Sequence, residues 1–365
     1  MTELRRPRVR PDLELMTGYH SPQIDVDVRL NTNEAPESPP EEFSELLAAE
    51  LRALEWNRYP DRSAHSLRSA IAETESAGVP GGLGADQVFA ANGSNEVLQS
   101  ICLAYAGAGR SVLTFEPTYA LHSHIARVCG AEVLHGGRDE AFGIAGDELV
   151  RLVSENRPAI TFLCSPNNPT GGVLPNETVA EALDAVESVG GLLVVDEAYG
   201  QFSPHSALAL LGEQRSLVVT RTFSKTWSAA ALRLGYAIGP TWLVAELSKV
   251  VLPYHLDAPK QIAGVLALRY GQEMRARVAA LVEQRGRVAE GLADLAVTQW
   301  PSDANFILFR PERRRGEEVW QALVDDGVLV RNCASWPGLE DCLRVTIGTP
   351  VENDRFLDAL RSALS

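Results

Sequence analysis

Residues 217–235, LVVTRTFSKTWSAAALRLG, combine residue types and spacing that could carry covalent chemistry. The β-branched run 217–220 reads as a buried strand, and Ser224 and Lys225 follow it directly. Arg233 stands eight residues beyond the lysine, and Gly235 precedes a second apolar run, 236–238. A lysine just past the end of a buried strand, with a hydroxyl and an arginine nearby, suits a phosphorylated carbonyl compound. Its amine can form a Schiff base, while Ser224 and Arg233 can hold the phosphate. Taken alone, the same pattern also describes a solvated loop lysine.

Other polar groups fall at comparable positions. The apolar stretch 191–195 delivers Asp196, with Tyr199 three residues on. A carboxylate there is costly unless it meets a positive partner. The run 159–164 ends in SPNNPTG, a loop rigid enough to aim Asn168 at a ligand. Residues 88–91 run into Gly93, Ser94 and Asn95 at the start of a predicted helix, a terminus that serves equally as a cap or an anion site. Tyr119 follows the strand 111–115, and Asn33 lies in a loop after a short strand near residue 30. Singly, each of these also reads as ordinary turn or cap chemistry.

The elements that must position these residues alternate between apolar strands and amphipathic helices (41–54, 67–77 and 177–189). That alternation predicts an α/β fold with a mostly parallel sheet covered on both faces. In such sheets ligands sit beyond the carboxyl ends of the strands, where Gly93, Tyr119, Asn168, Asp196, Tyr199 and Lys225 all fall. Together they fit pyridoxal phosphate. Lys225 would form the Schiff base, Asp196 would pair with the pyridine nitrogen, and Tyr199 and Asn168 would bond the phenolate oxygen. Tyr119 would stack on the ring, and Ser94, Asn95, Ser224 and Arg233 would hold the phosphate.

Beyond residue 262 a largely helical stretch, 266–295, leads to strands 305–309 and 343–347 with a helix at 317–325 between them. We therefore expect a large domain over 36–262 and a smaller α+β domain over 263–365, joined by the segment 1–35. At 365 residues, 45% hydrophobic and 22% charged, the chain is an ordinary globular one. Its net charge of −15 argues against a nucleic-acid surface, and no run is long enough to span a membrane. The basic cluster 5–10 reads as a frayed arm and 313–315 as a solvated loop. The 5 cysteines lack C-x-x-C spacing, which favours reduced thiols in a cytoplasmic protein over disulfides or a zinc site.

PNNPTG (166–171), DEAY (196–199), RTFSK (221–225) and LRLGY (232–236) resemble the fold-type I, class I/II aminotransferases. NEAP, RYPD, NGSNE, PTY, PYHL, DANF, VRN and LRVTIGT are similar, within that group, to the histidinol-phosphate aminotransferases. The blocks run in family order from about residue 13 to the C-terminus. The resemblance implies transfer of an amino group from L-histidinol phosphate to 2-oxoglutarate in histidine biosynthesis. Aromatic aminotransferases and a threonine-phosphate decarboxylase share much of the pattern, and a non-catalytic binding protein on the same fold is a further alternative. The resemblance also implies a homodimer in which Tyr59 reaches the neighbouring subunit's cofactor phosphate. Arg344 would bind the glutamate carboxylate and, with Arg331, the substrate phosphate; Tyr19 and Tyr254 match positions near the substrate. One departure is TWSAAA (226–231), where Trp227 replaces the family's more usual alanine-phenylalanine pair.

Overall fold

Two sheets, joined by one long helix, organise the chain. The structure is a computed structural model that describes residues 7–14, 16, 18 and 23–365. Tyr19 lies outside the described residues, as do residues 5 and 6 of the basic arm.

The strands are β1 (Val28–Leu30), β2 (Val88–Ala91), β3 (Ser111–Glu116), β4 (Glu132–Gly137), β5 (Ile160–Cys164), β6 (Leu192–Asp196), β7 (Leu217–Thr222), β8 (Gly235–Ile238), β9 (Val297–Gln299), β10 (Phe306–Pro311), β11 (Val328–Asn332) and β12 (Leu343–Thr346). The larger sheet has seven strands in the order β2-β8-β7-β6-β5-β3-β4. Strand β8 runs antiparallel to both neighbours, and the remaining pairings are parallel. Every residue of β5, β6 and β7 is buried. Continuous apolar strands are what a sheet covered by helices on both faces requires. The protein is thus an α/β fold, as its alternating pattern predicts. Strand β7 runs two residues past the apolar stretch that marks it in sequence, carrying Arg221 and Thr222 into the interior.

The smaller sheet has the order β1-β11-β12-β10-β9, antiparallel except for β1 beside β11. Its first strand comes from the N-terminal segment, which places Asn31 to Glu34 between the two sheets. The helical stretch expected over 266–295 is two helices, Ala258–Leu268 and Gly271–Ala293, with the chain turning at Tyr270. Met274 of the second helix packs in the core of the larger sheet, whereas Leu281, Val288 and Leu292 pack in the core of the smaller one. We propose the two-domain division in these terms, with this helix as the join. No helix among the described residues is long and apolar enough to cross a membrane.

Candidate active site

A cavity of about 270 Å³ opens at the carboxyl ends of the central strands, between the two sheets. Of the residues singled out from sequence, Asn33, Ser94, Asn95, Tyr119, Asn168, Asp196, Tyr199, Ser224, Lys225, Arg233, Arg331 and Arg344 line it. Tyr59 and Tyr254 do not. They stack on each other at the surface, ring centroids 4.4 Å apart and 14° from parallel, with Tyr59 80% exposed.

Strand β6 ends on Asp196, which is 1% exposed. Its Oδ2 lies 2.9 Å from Nε2 of His122, and its Oδ1 accepts from the Thr220 hydroxyl at 3.2 Å and the Ala198 N–H at 3.1 Å. The buried carboxylate is therefore fixed through both oxygens. His122 went unseen in the sequence, because it sits on the helix Leu121–Val128 and meets Asp196 only through the fold.

Lys225 Nζ donates to the Thr32 carbonyl at 2.9 Å and stands 5.7 Å from the centroid of the Tyr199 ring. Burial pushes the amine down to about 7, with Arg344 and Arg233 adding to the effect and Glu34 opposing it. An amine that sheds its proton near neutrality can act as a nucleophile or a base. The Tyr199 hydroxyl accepts from Asn33 Nδ2 at 2.8 Å, and burial raises its phenol to about 12. Asn33 itself adopts a left-handed backbone (φ 55°), held by Thr346, whose hydroxyl accepts from the Asn33 N–H at 3.0 Å.

Opposite the lysine, Ser94 and Asn95 form the first turn of the helix Ser94–Tyr105, where the N–H groups lack intrahelical partners. Arg233 donates from Nη1 to Ser224 Oγ at 3.2 Å, and Thr222 donates to the same hydroxyl at 3.0 Å. The packing here leaves no room for side chains on two glycines. A Cβ on Gly93 would lie 2.7 Å from Arg233 Nη2, and one on Gly235 would lie 2.3 Å from Ser94 N. Hydroxyls, a guanidinium and a helix start drawn this close make a donor set that fits a phosphate.

The loop bearing Asn168 is tied to the loop bearing Tyr119. Asn167 accepts from the Thr118 hydroxyl at 2.9 Å and donates to the Pro117 carbonyl at 3.0 Å. Tyr119 in turn donates to Asn95 Oδ1 at 3.1 Å. On the far wall, Arg331 and Arg344 are register partners across β11 and β12. Arg344 donates to Asn168 Oδ1 and to the Asn31 carbonyl, the latter at 2.9 Å, and lies 5.0 Å from the centroid of the Phe306 ring. Trp336, which no pattern in the sequence marks, completes this wall.

The family profile described as Aminotransferase class I and II matches residues 26–360. The chain belongs to this family. A histidinol-phosphate aminotransferase of Frankia casuarinae is 44% identical over 364 residues, covering 98% of this chain and 90% of that protein. Its counterpart in Corynebacterium diphtheriae is 41% identical, covering 97% and 95%. The crystal structure of histidinol-phosphate aminotransferase from Sinorhizobium meliloti in complex with pyridoxal-5'-phosphate shares the fold, with a TM-score of 0.87 at 21% identity over 98% of this chain and 97% of that one. The fold-type I architecture and the dependence of this aminotransferase on pyridoxal phosphate follow from that membership, and the donors around Lys225 fit the cofactor.

Proposed function

We propose that this aminotransferase moves the amino group of L-histidinol phosphate to 2-oxoglutarate, giving imidazole-acetol phosphate and L-glutamate, as a cytoplasmic homodimer in histidine biosynthesis. One observation carries the choice of substrate. Register partners on adjacent strands point to the same face, so Arg331 and Arg344 present two guanidinium groups side by side on the cavity wall. Like charges directly across a strand pair repel, and an anionic substrate group relieves that cost. Guanidinium forks suit both phosphate and carboxylate, so one wall can serve a phosphorylated amine and a dicarboxylate in turn. The relatives named above for that activity, 41–44% identical across nearly the whole chain, support the same reading.

When bound, pyridoxal phosphate supplies a carbonyl carbon that exchanges amino groups and a ring that takes up the electrons left when the substrate Cα–H bond breaks. Ser94, Asn95, Thr222, Ser224 and Arg233 would hold its phosphate, Tyr119 its ring face, and Tyr199 and Asn168 its phenolate oxygen. Asp196 would offer a fixed negative charge to the ring nitrogen and keep it protonated. Lys225 Nζ, which burial lets shed its proton at about pH 7, takes the proton from the substrate α-carbon and returns it on the other side of the reaction. The wall of Arg331 and Arg344 orients the substrate so that this proton faces the lysine.

The test is a single-turnover absorbance spectrum of the cofactor-loaded protein mixed with L-histidinol phosphate and no keto acid. The visible cofactor band should collapse and return when 2-oxoglutarate is added. A band that holds with histidinol phosphate but collapses with phenylalanine would move the assignment to an aromatic aminotransferase.

A further inference from the structure

The loop from Cys333 to Cys342 joins the two strands that carry the arginines. It folds back on itself through the Cys333 N–H to the Cys342 carbonyl at 2.9 Å and the Trp336 N–H to the Cys333 carbonyl at 3.0 Å. That turn brings the Trp336 ring to 5.2 Å from the Arg331 guanidinium carbon. The indole N–H donates to the Thr118 carbonyl at 2.8 Å, next to Tyr119 on the opposite side of the cavity. The ring is thus anchored to both sides of the site and presents a π face to Arg331.

Arg344 has independent supports in Asn168, the Asn31 carbonyl and Phe306. We propose that Trp336 is a positioning residue for Arg331, and through it sets the preference for a substrate phosphate over a second carboxylate. The inference rests on the reading of Arg331 given above. A carboxylate offers two oxygens that one fork can satisfy, whereas a phosphate monoester offers three and gains from a second guanidinium. Arginine has a long side chain with much rotamer freedom, and holding it over an aromatic face removes part of that freedom before substrate arrives. Losing the ring should therefore weaken phosphate recognition and leave carboxylate recognition to Arg344.

The experiment compares wild type, Trp336→Met and Trp336→Phe as cofactor-loaded proteins, with Trp336→Leu as a second ring-free variant should the first not fold. Steady-state KM is measured for both substrates, L-histidinol phosphate and the keto acid. Calorimetric Kd is measured for two unreactive probes, propyl phosphate and glutarate. Removing the ring should raise the KM for histidinol phosphate and the Kd for propyl phosphate about tenfold. The KM for the keto acid, the Kd for glutarate and kcat should stay near wild type, and Trp336→Phe should recover most of the loss. Equal weakening of both ligand classes, no weakening of either, or a phenylalanine variant as impaired as the ring-free one would each overturn the proposal. The two readings fail separately. Phosphate-selective weakening in a protein that does not turn over histidinol phosphate sinks the substrate assignment alone, and unimpaired turnover of histidinol phosphate without the ring sinks the role of Trp336 alone.

Discussion

His122 Nε2 lies 2.9 Å from Asp196 Oδ2 with both side chains out of solvent, and the imidazole lies flat on Phe162, ring centroids 4.8 Å apart and 3° from parallel. The histidine therefore holds the carboxylate rather than facing substrate. Replacing Asp196 with alanine should lower kcat by about 10²–10³-fold, the scale of removing one preorganised electrostatic partner. Replacing His122 with phenylalanine keeps the stacking and leaves the charge in place but frees it to move, so kcat should fall roughly ten- to a hundredfold. Steady-state kinetics at saturating cofactor separates the two. If the His122 variant lost as much as the Asp196 variant, the imidazole would have to do more than orient.

The amine of Lys225 makes stability depend on pH in a predictable direction. The unfolded chain keeps this proton up to about pH 10.4, whereas the folded one releases it above about 7. Between those values the unfolded state binds more protons, so stability rises with pH; below about 7 the full cost of the buried charge is present. In cofactor-free protein, Lys225→Met should therefore raise the melting temperature near pH 6, and the gain should shrink toward pH 9. Calorimetry at the two values checks this, and an equal gain at both would mean that burial does not hold the amine low. The same variant should have no turnover.

The fold and much of the site are legible in sequence for one physical reason. Strands buried on both faces must be apolar, so a polar residue where such a strand ends stands out, as Asp196 and Lys225 do. Asn168 and Ser94 are visible because rigid turns and helix starts have their own chemistry. What escaped detection depends on partners far along the chain. Arg221 looks like the end of a strand, yet it continues β7 into the core because Glu75 and Glu197 each reach it at 2.6 Å. Tyr236 donates to Glu75 at 2.5 Å, and Ser206 and the Ala207 N–H satisfy Glu197. No local pattern announces a charge neutralised by a helix 146 residues away. His122 is hidden in the same way, and so is the partner of the short strand near residue 30, since β1 joins β11 from the other end of the chain.

The phosphate cradle gives a prediction that does not rely on turnover. A Cβ at Gly235 would meet the Ser94 nitrogen at 2.3 Å and the Gly93 carbonyl carbon at 2.6 Å, and backbone cannot swing aside as a flexible side chain would. Gly235→Ala should push the start of the helix Ser94–Tyr105 away from Arg233 and Ser224. Affinity for pyridoxal phosphate, read by equilibrium titration of the stripped protein, should fall at least about tenfold, with a stability loss on the order of 1–3 kcal/mol. Gly172→Ala is the control, since a Cβ there meets nothing within 4 Å. Equal affinity in the two variants would mean that the helix start does not contribute to the cradle.

Tyr59 stands outside its own chain's cavity, and this gives the proposed homodimer its sharpest test. Besides the stacked Tyr59 and Tyr254, the nearby Trp56 and Leu252 are 69% and 78% exposed, an apolar group of the kind that a second copy covers. In a two-fold dimer each chain can lend Tyr59 to its partner and receive the same residue in return. Tyr59→Ala should then bind the cofactor weakly, and Lys225→Ala should be inactive. Unfolding the two variants together and refolding them as a mixture produces dimers in which one site combines an intact Lys225 with an intact Tyr59. At limiting cofactor, activity in the mixture should exceed that of the same variants refolded separately and then assayed together before subunits exchange. A mixture no more active than the sum of its parts would place Tyr59 outside the partner's site.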